Sequence, residues 1–331
     1  MDTPTPETGS TPTLLVLVGP TGAGKTAVAV ELCALLNGEV VSADSVQVYR
    51  RCDIAAAKPS AGELARAPHH LLDIREPTER YSGAEWAQDA TAAITEITAR
   101  GRQPIIAGGT GFYLKALLQP ALIPEVPPDL ELRAQLETIA ATQGVLPLHE
   151  RLAQLDAAAA KRLHPNDTRR VIRAIEVALG QAVLDEENAA NSIATVPPQA
   201  SYSSLAFGLD MPREQLYQRL EQRIDNMLRA GFLDELRALR QAGTPEEIPA
   251  LQGLGYRQML PVLDDASALE ECVAIWKRDT RRYAKRQMTW FRHQLPVQWI
   301  EIDENTPPLV VAQRIATAFN SNSYRANQLI A

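Results

Sequence analysis

Near its start the chain carries an eight-residue motif that strongly restricts the local backbone. The residues from Gly19 to Thr26 read GPTGAGKT and match the pattern G-x-x-x-x-G-K-[ST] at every fixed position. They follow the apolar run Leu14–Val18, which is typical of a buried parallel strand, and precede a helical pattern from Lys25 to Leu36. Strand, glycine-rich turn and helix in this order predict a phosphate-binding loop in a parallel sheet.

Strand and helix patterns alternate after this motif. Residues 39–42 and 103–107 are short apolar runs, and the segment from Ser82 to Arg100 has the periodicity of an amphipathic helix. Strand character returns at Ser204–Leu209 and near Val297–Ile302. We therefore predict an α/β fold of the P-loop NTPase type, similar to nucleotide kinases, with a parallel sheet and flanking helices.

A change of pattern after Gln119-Pro120 divides the chain. Residues 129–179 are alanine-rich with helical periodicity alone, and the polar stretch 186–201 resembles a linker. We expect an all-helical insertion domain at 124–199, inside a P-loop α/β core formed by 13–123 and 200–331. The first twelve residues, 1–12, are polar and rich in proline and threonine, and are expected to form a disordered tail.

Composition narrows the class of protein. The chain has 331 residues, 45% of them hydrophobic, so it can bury a substantial core. No apolar run approaches the roughly 18 residues of a membrane-spanning helix, and no signal-peptide pattern is visible. The three cysteines have neither metal nor disulfide spacing. These features favour a soluble, cytoplasmic protein with no membrane partner, and no coiled-coil pattern indicates assembly beyond a monomer.

The chemistry of the phosphate-binding motif follows from its residue types. Glycines let the backbone curl so that N–H groups point at phosphate oxygens, and the helix N-terminus adds partial positive charge. Lys25 supplies a full charge to the outer phosphate, and the Thr26 hydroxyl can ligate Mg²⁺. An empty strand-to-helix turn is the alternative interpretation. The residues expected to bind the phosphates are Gly19, Pro20, Thr21, Gly22, Ala23, Gly24, Lys25 and Thr26.

Asp44 directly follows the second predicted strand. Because ligands of open α/β sheets gather beyond the carboxyl ends of the strands, Asp44 is expected near the phosphate-binding loop. Its carboxylate can ligate Mg²⁺ through water, accept a proton from a nucleophile, or only cap the next turn. Gln47 offers donors and acceptors that suit a purine edge, although an ordinary exposed glutamine is equally consistent with the pattern.

A long helix predicted from Ala268 to His293 is strongly basic in its second half. Between Lys277 and Arg292 it has seven basic residues and one acid, although the whole chain has a formal net charge of -7. Arg278, Arg282 and Lys285 recur at helical spacing and share one face. A charged face in solvent is the simple alternative, but it usually mixes acids with bases. The pattern therefore favours contact with a phosphate backbone.

Several ordered motifs together resemble one enzyme family. The phosphate-binding loop is followed by Asp44-Ser45-x-Gln47-x-Tyr49 and by GGTGFY at 108–113. Further matching motifs are PHHL at 68–71, HPND at 164–167 with Arg170 and Arg173, Gly255-Tyr256, and the segment 280–290. In this combination the chain resembles the tRNA dimethylallyltransferases, from the loop to about Arg292.

The resemblance implies a reaction. The dimethylallyl group of dimethylallyl diphosphate would pass to N6 of adenosine 37, which is 3′-adjacent to the tRNA anticodon, to give N6-isopentenyladenosine. The loop would grip the diphosphate with Mg²⁺ at Thr26. Asp44, Thr21 and Lys25 would be the catalytic residues, with Asp44 accepting a proton or hydrogen bond from N6. The base would have to leave the stack of the anticodon stem-loop.

The resemblance also implies a set of tRNA contacts. The helical insertion would grip the anticodon stem-loop, and the basic helix would hold the RNA backbone. The expected tRNA-binding residues are Asp44, Ser45, Val46, Gln47, Thr110, Thr168, Arg169, Arg170, Arg173, Gly255, Tyr256, Arg257, Arg281, Arg282, Lys285, Arg286 and Gln287.

Two details concern single positions. Where the family has Gly-Thr-Ala-Lys-Pro, this chain has alanines at 55 and 56, so the threonine hydroxyl is missing. Phe112 and Tyr113 are expected to be core aromatics rather than platforms for a base. Trp276, Tyr283 and Trp290 repeat every seven residues, and this stripe is expected to face the core.

Two other functions remain open on the sequence. One is a P-loop small-molecule transferase, either a nucleotide kinase or an adenylate prenyltransferase. The other is an RNA-binding protein without catalysis. A small substrate does not require the basic helix, which argues against the first, and the intact Lys25, Thr26 and Asp44 argue against the second.

Overall fold

The computed structural model describes residues 12–122, 124, 126–191 and 202–328. It contains two compact units, one of the residues up to Gln119 together with those from Ala200 onward, and one of Pro120–Gln199. The predicted tail, except Pro12, and the part of the predicted linker at 192–201 lie outside the described residues. The linker prediction is wrong for residues 186–191, which belong to a helix. Glutamate and alanine, which are common there, have high helix propensity even though the stretch is polar.

The larger unit is built on a six-stranded sheet. Its strands are β1 (Leu14–Val18), β2 (Gly38–Ala43), β3 (His69–His70), β4 (Gln103–Gly108), β5 (Ser204–Asp210) and β6 (Val297–Glu301). They lie in the order β3-β2-β4-β1-β5-β6, and every pairing is parallel. The carboxyl ends of all six strands therefore meet at one edge of the sheet. This confirms the predicted α/β fold; the short strand β3 was not predicted, since two residues show no periodicity.

Thirteen α-helices occur in the described residues. In the larger unit these are α1 (Lys25–Leu36), α2 (Ala61–Arg66), α3 (Gly83–Ala99), α4 (Gly111–Leu118), α9 (Arg213–Arg229), α10 (Phe232–Gln241), α11 (Tyr256–Met259), α12 (Leu269–Gln294) and α13 (Pro308–Gln328). In the second unit they are α5 (Leu130–Gln143), α6 (Leu146–Leu155), α7 (Ala157–Arg162) and α8 (Thr168–Asn191). Among the described residues, no helix combines the length and apolar character needed to cross a membrane.

The central strand β1 supplies side chains to two apolar layers. Alternate residues of a strand point to opposite faces, so Leu14 packs in one cluster with Trp86 of α3, while Leu15 packs in another with Ile315 of α13. All five residues of β1 are fully buried. Both faces of the sheet are thus covered by helices, as the continuous apolar run predicts.

The start of α3 shows how local sequence fixes an element. The Ser82 side chain accepts a hydrogen bond from the Glu85 backbone N–H at 3.2 Å, and the Glu85 carboxylate accepts one from the Ser82 N–H at 2.8 Å. This reciprocal cap satisfies two N–H groups that a helix end leaves without partners. It explains why the helix predicted from Ser82 begins at Gly83.

The second unit is entirely helical in its described residues. Leu136, Leu152 and Val171 form part of its small core. Glu176 is buried beside that core, and its carboxylate accepts hydrogen bonds from the Arg133 guanidinium at 3.1 and 2.7 Å. A buried carboxylate requires such a partner, because burial without one would be costly.

Candidate active site

The turn between β1 and α1 has the backbone of a phosphate-binding loop. Gly22 and Gly24 have φ angles of +82° and +88°, in the left-handed region that side chains rarely adopt. The helix α1 begins at Lys25, so its unpaired N-terminal N–H groups lie at the turn. Such a helix start attracts anions.

Lys25 lies folded over this loop. Its Nζ donates hydrogen bonds to the carbonyl oxygens of Gly19 at 3.0 Å and Pro20 at 2.9 Å. Burial lowers the pKa of Lys25 to about 8, while the Asp44 carboxylate raises it and the Arg223 guanidinium lowers it.

Those charged groups line a cavity of about 100 Å³ at the carboxyl edge of the sheet. Thr21 and Thr26 of the loop also line it. A larger cavity of about 630 Å³ beyond β5 and β6 includes only Pro20 of the phosphate-binding loop. The smaller cavity, where loop and carboxylate meet, is therefore the candidate active site.

Asp44 caps the turn that follows β2. Its Oδ1 accepts hydrogen bonds from the backbone N–H groups of Val46 at 2.9 Å and Gln47 at 3.3 Å. The capping role considered for this residue is therefore present. It leaves a chemical role available, since a carboxylate has a second oxygen and Asp44 lines the cavity.

Gln47 lines the cavity with a fixed orientation. Its Oε1 accepts a hydrogen bond from the Ser42 hydroxyl at 3.0 Å, and its Nε2 donates to the carbonyls of Ala56 at 3.1 Å and Ala57 at 3.3 Å. The alanines that replace the family glycine and threonine do not disturb this contact, because the loop contributes main-chain oxygens.

Thr110 connects the turn after β4 to the turn after β2. Its Oγ1 accepts a hydrogen bond from the Ser45 N–H at 3.1 Å. Gln287 of α12 reaches the same edge, where its Oε1 accepts from the Thr21 N–H and its Nε2 donates to the Gly109 carbonyl. Since Gln287 is buried and bonded within the protein, its predicted contact with tRNA is corrected to a structural role.

Gly255 and Tyr256 also need correction as predicted RNA contacts. Tyr256 has no exposed surface, and its hydroxyl donates to the Glu235 carboxylate at 2.7 Å. Gly255 is buried against the ring of Trp276. Of this predicted group only Arg257 is exposed. A sequence motif by itself does not predict which of its residues are buried and which are exposed.

The basic helix α12 presents the predicted exposed face, with Arg278, Arg282 and Lys285 accessible. Part of its charge is paired with acids that lie outside the helix. These pairs are Lys277 with Asp225 at 2.6 Å, Arg281 with Glu221, and Arg292 with Asp210 at 2.7 Å. Among the described residues, no ion pair involves Lys285 or Arg286, which leaves these two cations most available to an RNA backbone.

The tRNA contacts expected in the second unit are of two kinds. Thr168 begins α8, where Arg169 and Arg170 are exposed. The Arg173 guanidinium instead donates to the Val126 carbonyl at 2.7 Å and pairs with buried Glu176 at 3.3 Å. Arg173 thus braces this unit, but 33% of its side chain is exposed, and its predicted contact with tRNA stays a prediction.

Sequence reasoning missed Arg223 of α9. This arginine lines the cavity, and burial lowers its pKa while Asp44 raises it. Arg219, one turn earlier, lies beside Gly24 of the phosphate-binding loop. Their four-residue spacing places both on one helix face, and this spacing is the sequence feature that could have predicted them as site residues. An arginine pair on a helix is too ordinary to stand out without the fold.

The two aromatics of the GGTGFY motif differ. Tyr113 is a core residue as predicted, stacked on Trp86 with ring centroids 4.8 Å apart. Phe112 is 52% exposed, so its predicted core position is wrong. Successive residues of a helix point about 100° apart, so both cannot face the core equally. In the stripe on α12, Trp276 is buried, whereas Tyr283 and Trp290 are half-buried.

The cavity offers hard oxygen donors of the kind that Mg²⁺ takes. The Thr26 hydroxyl and the Asp44 carboxylate both line it. Neither here nor in any other described part of the chain does a group of three or more His, Cys, Asp or Glu form a metal site from protein ligands alone. The residues present therefore fit an ion that shares the phosphate oxygens of a bound ligand.

Comparison with known proteins gives consistent relatives. A family model described as IPP transferase matches residues 47–294. A protein of Trichlorobacter lovleyi named tRNA dimethylallyltransferase 1 is 44% identical over 296 residues, which are 89% of this chain and 95% of that protein.

Solved structures extend the likeness to the fold. The full-length tRNA isopentenylpyrophosphate transferase of Bacillus halodurans is 38% identical with a TM-score of 0.69, over 95% of this chain and 99% of that one. A eukaryotic dimethylallyltransferase acting on tRNA is 28% identical with a TM-score of 0.76, over 94% of this chain and 80% of that one. The family model and the near full-length matches together place this chain in the IPP transferase family.

Proposed function

We propose that this chain is a tRNA dimethylallyltransferase, which transfers the dimethylallyl group of dimethylallyl diphosphate to N6 of adenosine 37 beside the anticodon. The observation that carries the proposal is the small cavity in which Lys25 and Thr26 meet Asp44. In this cavity, cationic side chains and backbone N–H groups that could bind a leaving diphosphate lie beside the Asp44 carboxylate, which could act on the nucleophile. Relatives that match nearly the whole chain carry this name, which supports the proposal.

The diphosphate gains negative charge as the allylic C–O bond breaks. The Lys25 ammonium and the Arg223 guanidinium line the cavity beside the start of α1, which supports binding of this charge. Donors that are already oriented stabilise a transition state without reorganisation. Mg²⁺ held by Thr26 would supply further positive charge to the diphosphate oxygens.

Asp44 acts on the other reactant. The N6 amine is a weak nucleophile, because its lone pair is conjugated with the adenine ring. As the N–C bond forms and the C–O bond breaks, N6 loses a proton, and the Asp44 carboxylate accepts that proton or the hydrogen bond that precedes it. Thr21 lines the same cavity, close to the reacting atoms. The adenine reaches this cavity only after it leaves the loop stack.

The exposed lysine and arginine side chains form the proposed contacts with the anticodon stem-loop. Lys285, Arg286 and Arg257 are exposed in the larger unit, and Arg169 and Arg170 are exposed in the second. Contacts of this kind hold an RNA backbone without reading its sequence. We propose a monomer that acts in the cytoplasm, where its three buried, unpaired cysteines suit a reducing environment.

The test is mass spectrometry of nucleosides from unmodified tRNA incubated with the protein, Mg²⁺ and dimethylallyl diphosphate. We expect an adenosine heavier by one dimethylallyl group, absent with Lys25→Ala and retained with Lys115→Ala on α4. Unchanged tRNA, with turnover of ATP or a free adenine nucleotide instead, would favour the small-molecule transferase and reject the proposal.

A further inference from the structure

We infer that Phe112 is a stacking site for an unpaired base of the RNA loop, next to the adenosine that is modified. The inference rests on the proposed function, because its ligand is part of the tRNA substrate. Proteins commonly bind unstacked RNA bases on aromatic side chains, since every base has an apolar face that water solvates poorly.

Phe112 is the sole exposed aromatic among the residues whose side chains the structure describes. Every other aromatic in that set is buried or half-buried. A single exposed apolar side chain is ordinary by itself. The exposed ring of Phe112 suggests a binding role because of where it lies in the fold.

Phe112 follows, within a few residues, Gly108, which lines the candidate active site. Phe112 lies two residues after Thr110, whose Oγ1 accepts a hydrogen bond from the Ser45 N–H at 3.1 Å. Ser45 directly follows Asp44 in the chain. The ring is therefore carried by the turn that is bonded to the carboxylate turn, where the adenosine is proposed to bind.

The backbone that carries the ring is held on two sides. The Phe112 ring packs on the backbone of Gly83 at the start of α3, where an added Cβ would lie 2.6 Å from Cδ1 of the ring. The preceding residue, Gly111, packs against the Trp290 ring of α12 in the same way. A platform fixed before binding loses little conformational entropy when a base stacks on it.

Positive charge stands near this platform. Trp290, which packs on Gly111, belongs to α12, and Arg286 lies one helical turn earlier on the same helix. Arg286 is exposed and has no ion pair with another described residue. The Arg286 guanidinium lies 5.8 Å from the centre of the Tyr283 ring, so it is held in place without an acidic partner. Aromatic side chains together with exposed cations are the combination by which proteins bind single-stranded nucleic acid. It favours an RNA loop over an apolar protein surface as the occupant.

The inference is tested with anticodon stem-loop RNAs that carry 2-aminopurine at one loop position at a time. The fluorescence of this base falls when it stacks on an aromatic ring. Binding and quenching are measured with the wild-type protein, Phe112→Tyr and Phe112→Leu. Leu309→Ala is the control, since Leu309 is 44% exposed on α13.

We expect Phe112→Leu to weaken RNA binding roughly 5- to 100-fold, the range for loss of one stacked base. Phe112→Tyr should stay within about twofold of wild type, because tyrosine keeps an aromatic face on which a base can stack. Leu309→Ala should also stay within about twofold, because Leu309 lies on α13, away from the proposed contact. At one loop position other than the modified base, quenching should persist with tyrosine and vanish with leucine. The KM for dimethylallyl diphosphate should not change.

Wild-type affinity in Phe112→Leu, or quenching that is independent of the ring at every loop position, would overturn the inference. Equal weakening by tyrosine and leucine would do the same. Turnover of the wild-type protein is measured on the same RNA. If wild type modifies the RNA but the ring has no effect, the inference fails alone; if wild type does not modify it, the proposed function fails.

Discussion

The side-chain Oε1 of Gln287 accepts a hydrogen bond from the backbone N–H of Thr21 at 2.8 Å, across 266 positions of sequence. The same amide donates through Nε2 to the Gly109 carbonyl at 2.9 Å. One buried side chain of the basic helix thus fixes the phosphate-binding loop and the turn after β4. The geometry of the phosphate-binding loop therefore depends on where α12 lies.

Substitution Gln287→Leu tests this connection. It leaves a backbone donor and a backbone acceptor without partners in a buried place, so we expect the free energy of unfolding to fall by about 1–3 kcal/mol. Turnover at limiting dimethylallyl diphosphate should fall more than RNA affinity, because the loop loses its support. Chemical denaturation and steady-state kinetics measure both, with exposed Gln218→Leu as the control. Unchanged kinetics in a destabilised variant would contradict the coupling.

Two substitutions separate the roles of Asp44. Asp44→Asn keeps an oxygen that can cap the Val46 and Gln47 N–H groups but removes the charge, whereas Asp44→Ala removes both. If Asp44 accepts the N6 proton, both variants should lose about 10²- to 10⁴-fold in turnover while RNA binding is retained. Single-turnover kinetics at saturating RNA provide the measurement. Near-normal turnover of Asp44→Asn would reduce Asp44 to a cap.

Arg223 is expected to bind the diphosphate. Because a hydrogen bond to a charged group contributes about 1.5–3 kcal/mol, Arg223→Ala should weaken diphosphate binding by about 10- to 100-fold. Titration calorimetry with inorganic pyrophosphate measures this effect. Arg229→Ala, on the exposed end of the same helix, should bind as wild type. Equal weakening by both variants would indicate a general charge effect.

Buried Glu39 should make stability dependent on pH. Burial alone raises the pKa of Glu39, but hydrogen bonds from Arg100 and His70 outweigh it, so the pKa lies below its ordinary value of 4.5. A lowered carboxyl pKa stabilises the fold above pH 4.5, and this stability is lost as pH falls through the folded-state value. Glu39→Gln should therefore lower the unfolding free energy by roughly 1–3 kcal/mol at neutral pH.

The pH dependence is the decisive part of that measurement. The stabilities of wild type and Glu39→Gln, measured by thermal unfolding, should approach each other as pH falls below 4.5, and should converge once pH has passed the lower folded-state pKa at which the native carboxyl is protonated. A constant difference at all pH values would show that packing, not charge, sets the effect. Exposed Glu96→Gln on α3 is the matched control.

Tyr256→Phe tests the correction of a predicted RNA contact. The variant loses one buried hydrogen bond to the charged Glu235 carboxylate, so we expect a loss of about 1.5–3 kcal/mol in stability and no change in RNA affinity. Exposed Arg257→Ala should show the opposite pattern. Filter binding with anticodon stem-loop RNA distinguishes them. Weaker RNA binding by Tyr256→Phe without loss of stability would reinstate the original prediction.

The predictions that succeeded from sequence concern short-range order. The strand, turn and helix around the phosphate-binding loop were predicted, and so were the parallel sheet and the helix α12. The single elements depend on a repeat or a motif among neighbouring residues, and the parallel sheet was predicted from the order in which strands and helices alternate. The linker prediction failed at 186–191 because a polar stretch can still favour a helix, and the core position of Phe112 failed because hydrophobicity does not by itself determine burial.

The sequence by itself determined the local elements, the phosphate-binding backbone at Gly22 and Gly24, and the resemblance to one family. Only the tertiary structure decided that Arg223 reaches Asp44 and Lys25, that Gln287 braces Thr21, and that Tyr256 is buried. The physical reason is the sequence distance over which each kind of interaction acts. Dihedral preferences and periodicity act between neighbours, whereas burial, hydrogen-bond partners and charge interactions arise only when distant segments pack together.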